Sequence, residues 1–272
     1  MRLVAHQTVP KVWGSSKSQN EDVYIPQRNG KKPFRRFVMC DGATTSFAGQ
    51  AWAWSLARSL HAAPSRTEIE TNCLFQNDAE FLEHYRDDFF RECFKSAILK
   101  YEKMFDVANL SYFKQEAFKR GSASTFLMLS QETENPDIIH LTSIGDTCCF
   151  IINADGEVLQ SFPLSNASDF STSAYLVDSR TEMQQTMFQP DTRTLFWRAT
   201  TVNLSNSSNA KIICATDAVS QWIVAHGDQP TKVSKLLAAA TKSRKSFERE
   251  ILSHRSDGTM AVDDSTIAIL ER

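Results

Sequence analysis

The sequence predicts an α+β fold, antiparallel sheets covered by helices, in one domain spanning residues 1–272. Three observations predict it. Strand-like segments come in runs with hairpin signals between them, helix-periodic segments come in blocks of their own, and no sustained strand–helix alternation marks a parallel sheet. Of the 272 residues, 42% are hydrophobic and 10% aromatic, enough to fill one full-sized core. No internal repeat, low-complexity tract or compositional break marks a domain boundary.

Each element follows from its own pattern. LVAHQTVPKV and RRFVMC read as strands, and Pro10 assigns the first to a sheet edge, because proline cannot donate to a ladder. Residues 47–62 carry helix formers with apolar Phe47, Ala51, Trp54 and Leu56, and predict a helix. Residues 64–78 form a polar connection. From about 79 to 106, Phe81, Leu82, Tyr85, Phe89, Cys93, Ala97 and Tyr101 recur near helical spacing. The period then changes: STFLMLSQ, IIHLTSIGD and TCCFIINADGEVLQSF read as successive strands, with Asp155-Gly156 as a hairpin turn. Residues 163–190, rich in Ser, Thr and Asp, read as a long surface segment. TRTLFWRATTVNL and AKIICATD return to strand character, AVSQWIVAHG reads as a helix ending near Gly227, residues 230–254 add one or two more helices, and STIAILE closes as a strand.

The bulk properties exclude several classes. Thirty basic and 32 acidic residues give a net charge of −2, with no electrostatic footprint for nucleic acid or an anionic membrane. No apolar run approaches a membrane span, and residues 1–14 lack a signal-type apolar core. The six cysteines (Cys40, Cys73, Cys93, Cys148, Cys149, Cys214) contain no C-x-x-C pair, which argues against a zinc cage. The expectation from these features is a soluble, cytoplasmic protein of a reducing compartment; it is also expected to be a monomer.

Carboxylates recur where apolar strands end: Glu21 and Asp22 in NED, Asp41 in VMCDG, Asp146 in SIGDT, Asp217 in IICATD, and Asp263 and Asp264 in VDDST. Each has a plain reading by itself. Asp-Gly is a turn signal, Thr-Asp before a helix suits an N-cap, and an acidic pair before a strand suits a solvated start. Gathered together without a partner, however, such groups would repel and raise each other's pKa values, and hard divalent cations relieve that repulsion. Oxygen ligands in octahedral geometry suit magnesium or manganese.

At these residues the sequence resembles the metal-dependent type 2C protein serine/threonine phosphatases, in a divergent, bacterial-like form. The similar stretches, in family order, are KSQNEDVY, FVMCDGATTS, GSASTFLML, IHLTSIGDTCCFI, IICATDAVSQWI and DDSTIAIL, and they extend over nearly the whole chain. The resemblance implies a four-layer α-β-β-α sandwich, two central antiparallel sheets flanked by helices, with a binuclear metal centre at one end. It makes Asp41 the bridge between two ions, and Gly42 the residue whose backbone carbonyl is a ligand. Glu21 matches an acidic ligand of one ion, with Asp22 its neighbour in the metal shell. Asp217 and Asp263 match the ligands of the other ion, Asp263 rather than Asp264 because the family's Asp stands three before the Thr. Asp146 matches an Asp of a weaker third site.

The implied function is hydrolysis of phosphoserine and phosphothreonine in phosphorylated protein substrates, by attack of a hydroxide bridging two Mn²⁺ or Mg²⁺ ions. Two other readings stand beside it: a pseudophosphatase-type binding or regulatory module, and a two-metal hydrolase of small phosphoesters. Three departures from the family pattern matter. Lys17 stands where the family has an Arg that grips substrate phosphate, and lysine supplies charge without a bidentate fork. Ala218 replaces the Gly of Thr-Asp-Gly. Thr44, Thr45 and Ser46 replace a Gly-rich run, and capping of the following helix is their expected role.

Overall fold

The structure, a computed structural model, describes residues 1–11, 20–25, 34–63, 88–171, 174–205, 207 and 209–272. In chain order its elements are β1 (Arg2–Val9), β2 (Asp22–Ile25), β3 (Arg36–Asp41), α1 (Gly49–Ala62), α2 (Phe90–Glu102), α3 (Tyr112–Lys119), β4 (Ala123–Ser124), β5 (Phe126–Gln131), β6 (Ile138–Ile144), β7 (Cys148–Ile152) and β8 (Val158–Phe162). There follow β9 (Val177–Asp178), α4 (Thr181–Met187), α5 (Pro190–Phe196), β10 (Trp197–Asn203), β11 (Lys211–Ala215), α6 (Asp217–Ala225), α7 (Pro230–Lys242), α8 (Arg244–Ser256) and β12 (Ser265–Glu271). One sheet runs β1-β12-β11-β7-β8 and a second β10-β6-β5-β3-β2, with β4 and β9 forming a small third ladder. Every pairing is antiparallel.

The central strands are apolar on both faces, and this explains why they read as continuous hydrophobic runs. In β3, Phe37 and Met39 point between the sheets while Val38 and Cys40 point to a helical layer. In β11, Ile212 and Cys214 point between the sheets while Ile213 and Ala215 face the opposite helices. Helices α1 and α2 cover the second sheet with Trp52, Leu56, Phe90, Phe94 and Ala97. Helices α6, α7 and α8 cover the first with Trp222, Leu236, Phe247 and Ile251. The result is four layers, α-β-β-α. Phe90 and Phe94 stack with Phe126 and Trp197 at ring separations of 4.7–6.2 Å, tying α2 to the sheet. Burying side chains of this size stabilises the fold by about 1.5–3 kcal/mol each.

Among the described residues β1 is an edge strand, paired only with β12, and it ends immediately before Pro10. Two expectations need correction. The stretch 192–204 is not one strand: a helix with proline in its first turn (Pro190–Phe196) precedes β10, and proline suits the first helical position because its missing N–H needs no partner there. The long segment after β8 contains a 3₁₀ turn (Ala167–Ser171), β9 and α4. Helix α3 has no fully buried residue, so no apolar stripe announced it. In the 79–106 stretch the described helix is Phe90–Glu102, and residues 79–87 lie outside the described residues. Among the described residues no helix is long and apolar enough to cross a membrane.

Candidate metal centre

The antiparallel topology brings many strand ends to one place. Asp22 opens β2 and Asp41 closes β3, and the two are direct cross-strand partners. β6 and β7 are joined by the tight turn holding Gly145 and Asp146. β11 ends at Ala215, two residues before Asp217, and it pairs there with the start of β12, just after Asp263 and Asp264. Side chains bond across the two sheets at this end: the Thr216 hydroxyl donates to Asp22 Oδ2 at 3.1 Å, and the Thr125 and Thr147 hydroxyls lie 2.6 Å apart.

The backbone at Asp41 is locked while its carboxylate is left free. Its carbonyl accepts from Thr125 N at 2.9 Å and from the Ser124 hydroxyl at 2.8 Å, and its N–H donates to Thr125 Oγ1 at 3.2 Å. No described group donates to the Asp41 carboxylate. Burial, together with the charges of Asp22, Asp217, Asp146 and Asp263, pushes its pKa well above the ordinary range. Asp22 is raised in the same way, by burial and by Asp264 and Asp217, against the hydroxyls of Thr266 and Thr216 that favour its charged form. Its Oδ1 is shielded from solvent and accepts no hydrogen bond from any described residue. Asp217 is pushed up to about 7 by burial and by Asp146 and Asp263, although Ala218 N donates to its Oδ1 at 2.6 Å. Asp146 is raised, chiefly by burial.

The predicted residues therefore divide. Asp22, Asp41, Asp146, Asp217 and Asp263 act on one another electrostatically at a single end of the sandwich. Glu21 stands beside them but is paired: Lys11 Nζ donates to its Oε2 at 2.8 Å and to Thr44 Oγ1 at 2.6 Å. Lys17 lies outside the described residues. Among the described residues no three Asp, Glu, His or Cys side chains converge into a ready-made cation cage.

Gly42 has a structural reason of its own. A Cβ there would lie 2.6 Å from the carbonyl carbon of Gly49, so the start of α1 can approach β3 only over a glycine. Thr44 and Ser46 do not cap α1, contrary to expectation: no side chain caps that helix, Ser46 turns back to the Ala43 carbonyl at 2.6 Å, and Thr44 accepts from Lys11.

The sequence reading set Asp264 aside and did not single out Lys11. Asp264, buried, accepts from the backbone N–H groups of Lys11 at 2.7 Å and Glu21 at 2.8 Å, and so pins two loops together. Lys11 itself carries no motif; only its place just beyond an edge strand brings it to the centre. Beside Asp146 lies a cavity of about 140 Å³ lined by Leu164, Asp169, Tyr175, Phe196 and Arg198.

No protein-family model matches the chain, and no curated protein matches it. Solved structures do. A serine-threonine phosphatase 2C from Toxoplasma gondii superposes with a TM-score of 0.52 at 13% identity, over 97% of this chain and 93% of that one. A bacterial serine phosphatase gives 0.51 at 13% identity, over 97% and 96%. The catalytic domain of the serine threonine protein phosphatase PstP, in complex with two manganese ions, gives 0.50 at 13% identity, over 97% and 95%. The chain has the fold of these phosphatases, the four-layer sandwich expected from its motifs.

Proposed function

We propose that this protein is a metal-dependent phosphatase that hydrolyses phosphoserine and phosphothreonine in protein substrates. The observation that carries the reading is the set of mutually repelling carboxylates at one end of this fold, with Asp22 Oδ1 buried and unpartnered among them. A scaffold gains nothing from such an arrangement, whereas divalent cations would relieve its charge. Resemblance in fold to phosphatases, one of them holding two manganese ions, supports the same reading.

In this proposal Asp41, Glu21, the Gly42 carbonyl, Asp217 and Asp263 would hold two Mn²⁺ or Mg²⁺ ions, with Asp22 beside them and Asp146 toward a third. Bound metal lowers the pKa of its water toward neutrality and offsets charge on the phosphoryl group. The chain's own residues do the positioning. The Ser124 and Thr125 bonds fix the Asp41 backbone, so its carboxylate would need little reorganisation to hold a cation. Thr216 orients Asp22, and the helix start at α6 orients Asp217 through Ala218 N. The cavity beside Asp146 offers apolar contacts, with Arg198 and Asp169, to residues flanking the phosphorylated side chain.

The test uses p-nitrophenyl phosphate and a phosphothreonine peptide, each with Mn²⁺ or EDTA. Hydrolysis of both is expected with Mn²⁺, its loss with EDTA, and a drop of at least 100-fold in Asp41→Ala with its circular dichroism unchanged, on the scale of removing a principal electrostatic group (about 10²–10³-fold). No metal-dependent turnover would refute the reading. Turnover of the small ester alone would move the substrate to small phosphoesters.

A further inference from the structure

Lys11 follows Pro10 at the end of the edge strand, and its backbone is held from two sides. Its N–H donates to Asp264 Oδ1 at 2.7 Å, and Arg255 Nη1 donates to the preceding Pro10 carbonyl at 2.9 Å. Asp264 also takes the Glu21 N–H at 2.8 Å, so one buried carboxylate fixes the spacing between the Lys11 and Glu21 backbones. From there the ammonium reaches Glu21 Oε2 at 2.8 Å and Thr44 Oγ1 at 2.6 Å. This is a built contact rather than a loose surface pair: the two side chains keep 24% and 17% of their exposure. Asp263 and Asp264 also face the ammonium electrostatically.

The negative charge at this end of the sandwich is thus unevenly balanced. Asp22, Asp41, Asp146 and Asp217 have no basic side chain bonded to them among the described residues, whereas Glu21 already has a cation. We propose that Lys11 is a resident counter-ion occupying the Glu21 side of the centre, so that the protein loads divalent metal in two unequal steps. The first ion binds at Asp41, Asp217 and Asp263, whose carboxylates carry no hydrogen bond from a basic side chain among the described residues. The second must share the Glu21 carboxylate with the Lys11 ammonium, which holds its Oε2 at 2.8 Å, or displace that ammonium. Separating a half-buried pair exposes the energetic cost of leaving each partner alone, and that cost weakens the second step. The inference rests on the metal-centre reading above and specifies how that centre fills.

The test is a Mn²⁺ titration of the full chain by calorimetry, with free Mn²⁺ followed by its paramagnetic resonance signal, so that no activity enters the readout. The wild type is expected to show a strong and a weak step. Lys11→Met, which keeps the stem and removes the charge, is expected to tighten the weak step roughly 10–100-fold, the scale on which groups behind a metal ligand act, and to leave the strong step in place. Lys11→Arg retains the weak step, and Lys11→Gln serves as a second neutral variant if Lys11→Met does not fold. Equal second-step affinities in wild type and both neutral variants, or a weaker second step in them, would overturn the role of Lys11 while leaving the metal centre standing. Absence of Mn²⁺ binding in every protein would overturn the metal-centre reading and this inference with it.

Discussion

Replacing Asp217 by Asn stabilises the metal-free protein at alkaline pH and not at acid pH. In the folded state the Asp217 carboxyl is raised from 3.8 to about 7, by burial first and then by Asp146 and Asp263. Its folded value lies above its unfolded one, so between those values the folded state binds the extra proton. The favourable state is complete below about pH 4 and is lost as the pH rises through 7. Each pH unit is worth about 1.36 kcal/mol, so ionising this group costs the metal-free fold about 4 kcal/mol. Protonation of a neighbour relieves part of that cost, and about 2 kcal/mol is the expected gain for Asp217→Asn at pH 8. The Asn side-chain oxygen still accepts from Ala218 N. In thermal melts with EDTA this corresponds to a rise of about 4–8 °C at pH 8, vanishing near pH 4. Saturating Mn²⁺ reverses the order, because the wild type gains binding energy that the variant lacks. A variant less stable than wild type at pH 8 in EDTA, or a difference independent of pH, would refute the reasoning.

Other perturbations have equally definite outcomes. Gly42→Ala drives a methyl group into the Gly49 backbone at 2.6 Å and destabilises by about 1–3 kcal/mol in urea denaturation, with or without metal. Asp264→Ala strands the N–H groups of Lys11 and Glu21 and costs about 1–3 kcal/mol per unsatisfied buried group, measured the same way; Asp264→Asn recovers part of it. Phe94→Ala opens the aromatic cluster beneath α2 and costs about 3–5 kcal/mol, while Mn²⁺ affinity, read by calorimetry, stays at the wild-type value.

The sandwich was legible in the sequence because its central strands are short, doubly buried and nearly all apolar, as in TCCFII and AKIICA. Pro10 marked the edge strand correctly. What misled was local chemistry overruled by tertiary contacts. Thr44 looks like a cap until Lys11 arrives from 33 residues upstream. Helix α5 looks like strand because Leu195, Phe196 and Trp197 form an apolar run, while proline at its start sets a helical turn. The carboxylates at strand ends were visible individually, and the β2–β3 register and the β6–β7 turn supply their common location. Asp264 was passed over because its role, accepting two backbone N–H groups from distant loops, leaves no pattern in sequence.

The carboxylates come from both sheets: Asp22 and Asp41 from one, Asp217 and Asp263 from the other, with Asp146 on the turn between them. What separates the two groups is therefore the packing of Phe37, Met39, Leu127, Leu129, Cys149, Ile212, Cys214 and Leu270 between the sheets. That layer is close-packed, so it acts as a shim of fixed thickness. A side chain made larger or smaller there, out of reach of any ion, would reset the gauge of the centre and so its preference between cations of different radius.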